Sequence, residues 1–143
     1  MTFFALWTLM LYGMHRLAHI APLLKQYHLE HHRYVTEGNT GWNWRNLFLY
    51  IDNFETTADQ WLLEVIPTLI FSAITGQWWI AVFYYFWASI FQEIVEHNPK
   101  FDLFPILTSG KWHLQHHIDS SKNYGVLTFI WDWLFGTYHA RAQ

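Results

Sequence analysis

The chain has 143 residues, the size of one domain, with a formal net charge of −3 and no cysteine. The lack of cysteine excludes disulfides, iron–sulfur clusters, thiol nucleophiles and Cys-ligated zinc, and the charge gives no general attraction to nucleic acid. Charged residues make up 13% and aromatic residues 21% of the sequence, whereas soluble domains have about 25% charged residues. This composition predicts an integral membrane protein with a polar, histidine-rich head.

The first predicted element is the apolar segment Met1–Met14. A membrane-spanning helix needs ~20 apolar residues, so this segment is short unless it continues past His15. It has neither a charged N-terminal region nor a small-residue cleavage site, and we therefore do not expect a signal peptide. We interpret residues 1–20 as a partial or short transmembrane helix.

A second helix is predicted from Leu23 to about Tyr34, after a break at Ala21-Pro22. The break is expected because proline disfavours the helical conformation in the residue before it. Glycine and asparagine residues over 36–46 indicate a loop. Residues 46–59 are ambiguous and allow a short amphipathic element.

The longest apolar stretch runs from Trp61 to Val95 and is interrupted at Gly76. It is too long for one membrane span and slightly short for two full ones, and the turn at Gly76 favours a helical hairpin. A single pass would place His32 and His97 on opposite sides of a bilayer, whereas two passes return the chain to the side it left. The sequence therefore predicts a transmembrane hairpin.

None of the eight lysines and arginines lies at the Gly76 turn, so the positive-inside rule places the histidine-rich head in the cytoplasm. A third histidine-bearing helix is predicted over Gly110 to Ile118. The aromatic segment Val126 to Tyr138 is too short to span and is expected to pack on the head or lie at the interface. One domain, 1–143, is thus predicted, with membrane segments at 1–20 and 61–95 and a metal-binding cap formed by 23–34 and 97–139.

Nine of the ten histidines lie in a pattern that predicts metal binding. Imidazoles spaced i, i+3, i+4 share one helical face, and imidazole is the commonest metal ligand. Nine imidazoles exceed the ligands of one metal ion and predict two ions with four or five imidazoles each. The clusters read His15-Arg-Leu-Ala-His19, His28-Leu-Glu-His31-His32 and His113-Leu-Gln-His116-His117, with His97 between the second and third.

The neutral nitrogen ligands favour iron over zinc as the working metal. They leave the metal pair highly positive, which suits the binding and reductive activation of dioxygen. A hydrolytic zinc site normally has three protein ligands and a nearby glutamate base, as in HExxH. No HExxH occurs in the chain. Zinc can still fill the same nitrogens in the isolated protein.

Each ligating imidazole usually donates its other N–H group to a carboxylate or carbonyl oxygen. Glu93 precedes His97 by four residues, and Glu96 adjoins it, so both glutamates are candidates for this supporting role. An ionisable residue at the end of an apolar helix is costly and often functional. Further candidates are Glu30, Asp119 and Asp132.

The motifs and their order resemble those of the fatty acid hydroxylase/sterol desaturase superfamily, integral membrane di-iron oxygenases of lipids. The HxxxH motif, the two HxxHH motifs and the isolated His97-Asn98 follow one another as in that family. The C-terminal signature reads Asn123-Tyr124-Gly125 and then Trp131-Asp132-Trp133-Leu134-Phe135-Gly136-Thr137. The resemblance covers essentially the whole chain.

The resemblance implies an all-α membrane fold with a cytosolic, helical di-metal cap. It implies an iron-dependent oxidoreductase that uses two Fe ions, O2 and two electrons to hydroxylate or desaturate a C–H bond of a long-chain lipid, such as a fatty acyl chain or sterol. The electrons are expected from cytochrome b5 or from a ferredoxin with its reductase. Tyr124 and Asp132 are expected to close the cap, with Asp132 orienting an imidazole. The implied metal ligands are His15, His19, His28, His31, His32, His97, His113, His116 and His117.

Two other classes of function remain open at the level of the sequence. One is a truncated or non-catalytic metal-binding membrane relative. The other is a membrane haem protein with paired histidines as axial ligands, which consecutive histidines in two clusters fit poorly. His139 lies outside every motif and is predicted not to be a ligand.

Overall fold

The computed structural model describes residues 2–101, 103 and 105–139, and within these residues it contains helices and no strand. The predicted all-α fold is confirmed. The α-helices are α1 (Thr2–Ala18), α2 (Pro22–Thr36), α3 (Phe54–Gln60), α4 (Ile66–Thr75), α5 (Trp78–Phe86), α6 (Lys111–Ile118) and α7 (Ile130–Leu134). They are joined by a 3-10 helix, Trp44–Phe48, and by two π-helical segments, Trp61–Val65 and Trp87–Glu96.

The break between α1 and α2 lies where the sequence predicts it. Ala21 has extended backbone angles, and Pro22 occupies the first turn of α2, where its missing N–H group costs no hydrogen bond. The turn brings His19 at the end of the first helix close to His28 in the second. Proline therefore sets the geometry that joins the first two histidine clusters.

The ambiguous segment 46–59 contributes to two short helices, the first of which begins at Trp44, inside the predicted loop. Asn43 and Asn46 form a capping box at the start of the 3-10 helix. The Asn43 side chain accepts from backbone N–H groups of the first turn, and the Asn46 side chain accepts from the Asn43 backbone N–H group. Asn53 caps α3 by accepting a hydrogen bond from the backbone N–H group of Thr56 at 2.8 Å. This cap starts the helix that carries Asp59 toward the histidines.

The apolar stretch 61–95 folds as a helical hairpin whose arms pack against each other. Gly76 ends the first arm with a φ of 72°, a left-handed conformation that glycine adopts without strain. Pro67 lacks the N–H group that would bond one turn back, and the helix is π-helical immediately before α4. None of the helices in the described part of the chain is both long enough and apolar enough to cross a membrane. The transmembrane character of the hairpin stays a prediction.

The main apolar core lies between α1 and the hairpin. Trp7 and Leu11 pack against Ile80 and Tyr84, and all four side chains are buried. The Trp7 indole N–H group also donates to the Thr68 hydroxyl at 2.9 Å. His15 follows Leu11 by four residues on the same face of α1. The packing that buries the start of α1 therefore fixes the direction in which its first histidine points.

Candidate metal centre

The structure brings all nine predicted ligands together in two adjacent groups. Each histidine offers one ring nitrogen, and within a group all of these nitrogens lie within 4.8 Å of one another. The two groups nearly touch, because the rings of His32 and His117 have centroids 4.3 Å apart. The first histidine group is His15, His19, His28, His32 and His116, and the second histidine group is His31, His97, His113 and His117.

Each HxxHH motif divides its histidines between the two groups. On α2, His28 and His32 belong to the first group while His31 belongs to the second. On α6 the order is reversed, since His113 and His117 belong to the second group and His116 to the first. In both motifs the i, i+4 pair shares one group and the histidine at i+3 enters the other, because a helix advances 100° per residue.

The imidazole nitrogens in the first group converge closely. The Nε2 atom of His28 lies 3.0 Å from that of His19 and 3.2 Å from that of His32, and the Nε2 atoms of His19 and His116 are 3.1 Å apart. Two neutral nitrogens that both present a lone pair repel each other at this distance unless a cation or proton lies between them. Such convergence is the arrangement that a set of metal ligands requires.

Three outer contacts fix the orientation of rings in the first group. The Nδ1–H group of His15 donates to the backbone carbonyl of Tyr124 at 2.7 Å. That of His116 donates to the carbonyl of Lys122 at 2.6 Å, and His28 Nδ1 lies 3.1 Å from the Asp59 carboxylate. Carbonyl oxygens only accept, so the proton of His15 and His116 is on Nδ1 and the lone pair is on Nε2.

Asp132 supports this arrangement indirectly, through the backbone of Tyr124 and Gly125. Its carboxylate accepts hydrogen bonds from the backbone N–H groups of Tyr124 and Gly125 at 2.8 and 2.7 Å, and from the Thr137 hydroxyl at 2.7 Å. It therefore holds the loop whose carbonyl orients His15, without contacting a histidine itself. The part of Tyr124 that bonds His15 is the backbone carbonyl, and its phenol ring packs edge-on against the same imidazole.

The second group has longer outer contacts. Nδ1 of His113 lies 3.7 Å from the Glu96 carboxylate, and Nδ1 of His97 lies 3.9 Å from Glu93. Both distances exceed a direct hydrogen bond. Buried nitrogens of His97, His113 and His117 accordingly have no hydrogen-bond partner. Glu93 thus lies beside His97, as its spacing predicted, whereas Glu96 lies beside His113 rather than beside its neighbour in sequence, His97.

Burial favours the neutral form of several of these imidazoles, including His32, His97 and His116, whose lone pairs then remain available. Loss of hydration lowers the pKa of His32 to about 2, with repulsion from His28 as the next cause. The same burial lowers the pKa of His97 to about 3 and that of His116 to about 4. Burial has the opposite effect on a carboxyl group and raises the pKa of Asp59.

Sequence reasoning missed Asp59 and included two residues that the structure places elsewhere. Asp59 is 6% exposed and lies on α3, in the segment whose structure the sequence left ambiguous. Glu30 pairs with Arg33 on the surface. Asp119 accepts hydrogen bonds from Ser121 in the turn after α6. A signal for Asp59 existed in the sequence, since a carboxylate just before a long apolar stretch is costly without a partner.

The donor set fits two transition-metal ions. Every member is an imidazole, several of their nitrogens are buried without a partner, and no carboxylate oxygen belongs to either group as described. Iron and zinc both bind imidazole well. Groups of five and four converging imidazoles exceed the one or two axial ligands that a haem iron takes, so the haem alternative gains no support. A cavity of about 30 Å³ lies beside the groups and contacts histidines from both.

Comparison with known proteins gives one family and no structural relative. No solved structure matches the chain. The model of the family described as fatty acid hydroxylase matches residues 1–137, which include all nine clustered histidines and the C-terminal signature. The chain therefore belongs to the fatty acid hydroxylase family, part of the fatty acid hydroxylase/sterol desaturase superfamily.

Proposed function

We propose that the protein is an oxygenase that uses two iron ions, O2 and two electrons to hydroxylate a C–H bond of a long-chain lipid, with desaturation as the related outcome. The observation that carries this proposal is the convergence of nine imidazoles in two adjacent groups within a member of the fatty acid hydroxylase family. Iron ions, when bound, supply the activation of O2.

The residues of this chain have distinct parts in that reaction. The first histidine group would hold one ion and the second group the other. Asp59 and the carbonyl groups of Tyr124 and Lys122 keep three imidazoles in one tautomer and one orientation. Glu93 and Glu96 lie beside Nδ1 of His97 and His113 and would orient these two rings of the second group. The cavity of about 30 Å³ beside both groups has room for a molecule the size of water or O2.

The proposal includes association with a membrane. Side chains on the outer surface of the hairpin are apolar and exposed, among them Ile74, Val82 and Phe86, which are 80%, 57% and 51% accessible. Apolar surfaces of this kind mark sites of membrane or protein contact. Trp78 and Trp79 at the hairpin turn are of the residue type that favours the membrane–water interface. We propose that the hairpin contacts the lipid and that the histidine groups face the cytoplasm.

The proposal also requires an external electron donor. Activation of O2 at two irons consumes two electrons, and the cysteine-free chain holds no iron–sulfur cluster to supply them. We propose a soluble or membrane-bound donor such as cytochrome b5, or a ferredoxin with its reductase. Turnover in the presence of one donor system and not the other would identify it.

The first test is the metal content and Mössbauer spectrum of protein grown on 57Fe and purified in detergent. We expect about two iron ions per chain, one for each histidine group, in a nitrogen-rich environment. Addition of O2, reductant and a set of long-chain lipids should then give a hydroxylated product. One bound metal or none in the folded protein would contradict the proposal and favour a non-catalytic relative. Zinc at both positions would require reconstitution with iron before the activity assay.

The assignment of ligands is tested by a matched pair of histidine variants. His116→Ala removes a buried ligand of the first group and should release about half of the bound metal and abolish hydroxylation. His139→Ala is the control, because the exposed His139 contacts Asn123 only through its backbone. It should leave metal content and activity unchanged. Full metal content and activity in His116→Ala would overturn the assignment.

A further inference from the structure

An open groove of about 350 Å³ runs along the outer face of α1, apart from the histidine groups. Leu9, Gly13 and Arg16 follow one another at helical spacing along its floor, on the face turned away from Trp7 and Leu11. Phe135 forms part of the opposite wall. The volume lies at the lower end of the range for small-molecule sites, which is about 300–1,000 Å³.

Glycine at position 13 keeps the groove open. A Cβ atom placed there would meet no heavy atom within 4 Å, so the space above the helix is open at this point. The neighbouring walls are apolar and accessible, since Leu17 is 44%, Ile20 73% and Phe135 50% exposed. An apolar groove that remains open in this way can accept a flexible hydrocarbon chain.

Arg16 adds a positive charge to the groove. Its guanidinium group lies 5.7 Å from the centroids of both the Tyr12 and Tyr124 rings, and one N–H group donates to the Tyr12 hydroxyl at 3.4 Å. Among the described residues it forms no ion pair, whereas Arg33 and Arg45 each pair with a carboxylate. The Asp132 carboxylate acts on Arg16 only from beyond ion-pair distance, since it already accepts hydrogen bonds from two backbone N–H groups and the Thr137 hydroxyl. The rings of Tyr12 and Tyr124 contact the cation without neutralising it.

We propose that this groove binds a lipid with an anionic headgroup, a phosphate or carboxylate, which pairs with Arg16 while a hydrocarbon chain lies over Gly13. Charge complementarity carries the argument, because the guanidinium group matches phosphate and carboxylate geometry with two parallel hydrogen bonds. The site goes beyond the proposed oxygenase, since it lies on the outer face of α1 and its occupancy requires no metal chemistry. Tyr124 connects the two regions, with its ring near Arg16 and its carbonyl on His15.

The test measures lipid binding to the full chain in detergent by native mass spectrometry. Phosphatidic acid and phosphatidylcholine with identical acyl chains are compared. We expect phosphatidic acid to bind at least tenfold more tightly. Arg16→Gln should remove this preference, and Arg16→Lys should keep most of it. Lys100→Gln, which removes an exposed charge far along the chain, is the control and should behave like the unchanged protein.

A second pair of variants tests the apolar part of the groove. Gly13→Trp should fill it and weaken the binding of both lipids at least tenfold, while Gly13→Ala, which fits without contact, should not. Circular dichroism checks that each variant is folded. Unchanged lipid preference in Arg16→Gln, or unchanged binding in Gly13→Trp, would overturn the proposal.

Two further outcomes would identify a different occupant and would also overturn it. Competition by glycerol 3-phosphate as strong as that by phosphatidic acid would mean a site for free phosphate. Conversion of a dimer to a monomer by Gly13→Trp, with lipid binding unchanged, would mean that a second copy of the chain covers the groove. Lipid binding is measured without turnover, so its result does not depend on whether the protein is active in the oxygenase assay.

Discussion

At the scale of single residues, the outer contacts of the first histidine group distinguish this centre from a simple collection of imidazoles. Asp59, the Tyr124 carbonyl and the Lys122 carbonyl each bind the nitrogen that faces away from the group. A ring held in this way keeps the other nitrogen unprotonated and directed inward. These contacts come from two distant parts of the chain, α3 and the loop after α6, so the ring orientations depend on the whole fold.

Asp59→Ala tests the one of these three contacts that a side chain supplies. Removal of the carboxylate leaves the His28 Nδ1–H group without its acceptor and frees the ring to rotate, so we expect the affinity of the first metal ion to fall by about 10–100-fold. A chelator competition titration measures the change. Asp52→Ala is the control, because the exposed Asp52 pairs with Arg45 on the surface and should leave metal affinity unchanged. Equal affinities in the two variants would contradict a supporting role for Asp59.

At the scale of secondary-structure elements, α6 is placed by an unusual backbone position. Gly110 precedes the helix with a φ of 61°, and its backbone N–H group donates to the Glu96 carbonyl at 2.9 Å. An added Cβ atom would come within 1.5 Å of the Phe101 carbonyl oxygen. Only glycine fits both the close approach and the left-handed conformation. The start of α6 is therefore locked against the end of the hairpin, which keeps His97 beside His113.

Gly110→Ala is expected to destabilise the protein and to disturb the second histidine group. The backbone must shift to relieve the clash, and we expect a loss of at least about 2 kcal/mol in the free energy of unfolding. Gly13→Ala is the matched control, since its Cβ atom meets nothing within 4 Å. It should be neutral or stabilise α1 by up to about 1 kcal/mol. Denaturant unfolding in detergent, with metal content measured in parallel, compares the two variants.

At the scale of the whole molecule, the fold concentrates nine imidazoles where water is largely excluded. Burial lowers the pKa of His32 to about 2 and that of His97 to about 3, so the folded protein keeps these rings neutral. The unfolded chain protonates them near their ordinary pKa of about 6.5. Between these values the unfolded state binds more protons than the folded state. Acid therefore favours unfolding of the metal-free protein.

The metal-free protein should lose stability as the pH falls below about 6.5, by up to about 1.4 kcal/mol per pH unit for each such histidine. The stability contribution is fully present above this pH and decreases toward the lowered pKa of the folded state. Denaturant unfolding between pH 7.5 and 5.5 measures the slope. His97→Asn should reduce the slope by about one proton, whereas replacement of the exposed His139 should not change it. A pH-independent stability would contradict neutral burial.

The sequence by itself determined the helices to a large degree and indicated which histidines converge. The spacing of His28, His31 and His32 requires a shared helical face, and Pro22 and Gly76 mark turns because their backbone preferences are local. These features depend on residues within a few positions of each other. Periodicity and spacing therefore predict them without any knowledge of the fold.

Only the tertiary structure decided which histidines share a group and what holds them. The division of each HxxHH motif depends on how α2 and α6 are rotated about their axes, and contacts between distant segments set that rotation, such as Tyr34 and Val35 of α2 against Leu114 of α6. Asp59 and His28 are separated by 31 positions in the sequence, and Tyr124 and His15 by 109. A backbone carbonyl carries no sequence signature, so no pattern could predict its role. Contacts between distant residues depend on packing, and only the folded chain specifies them.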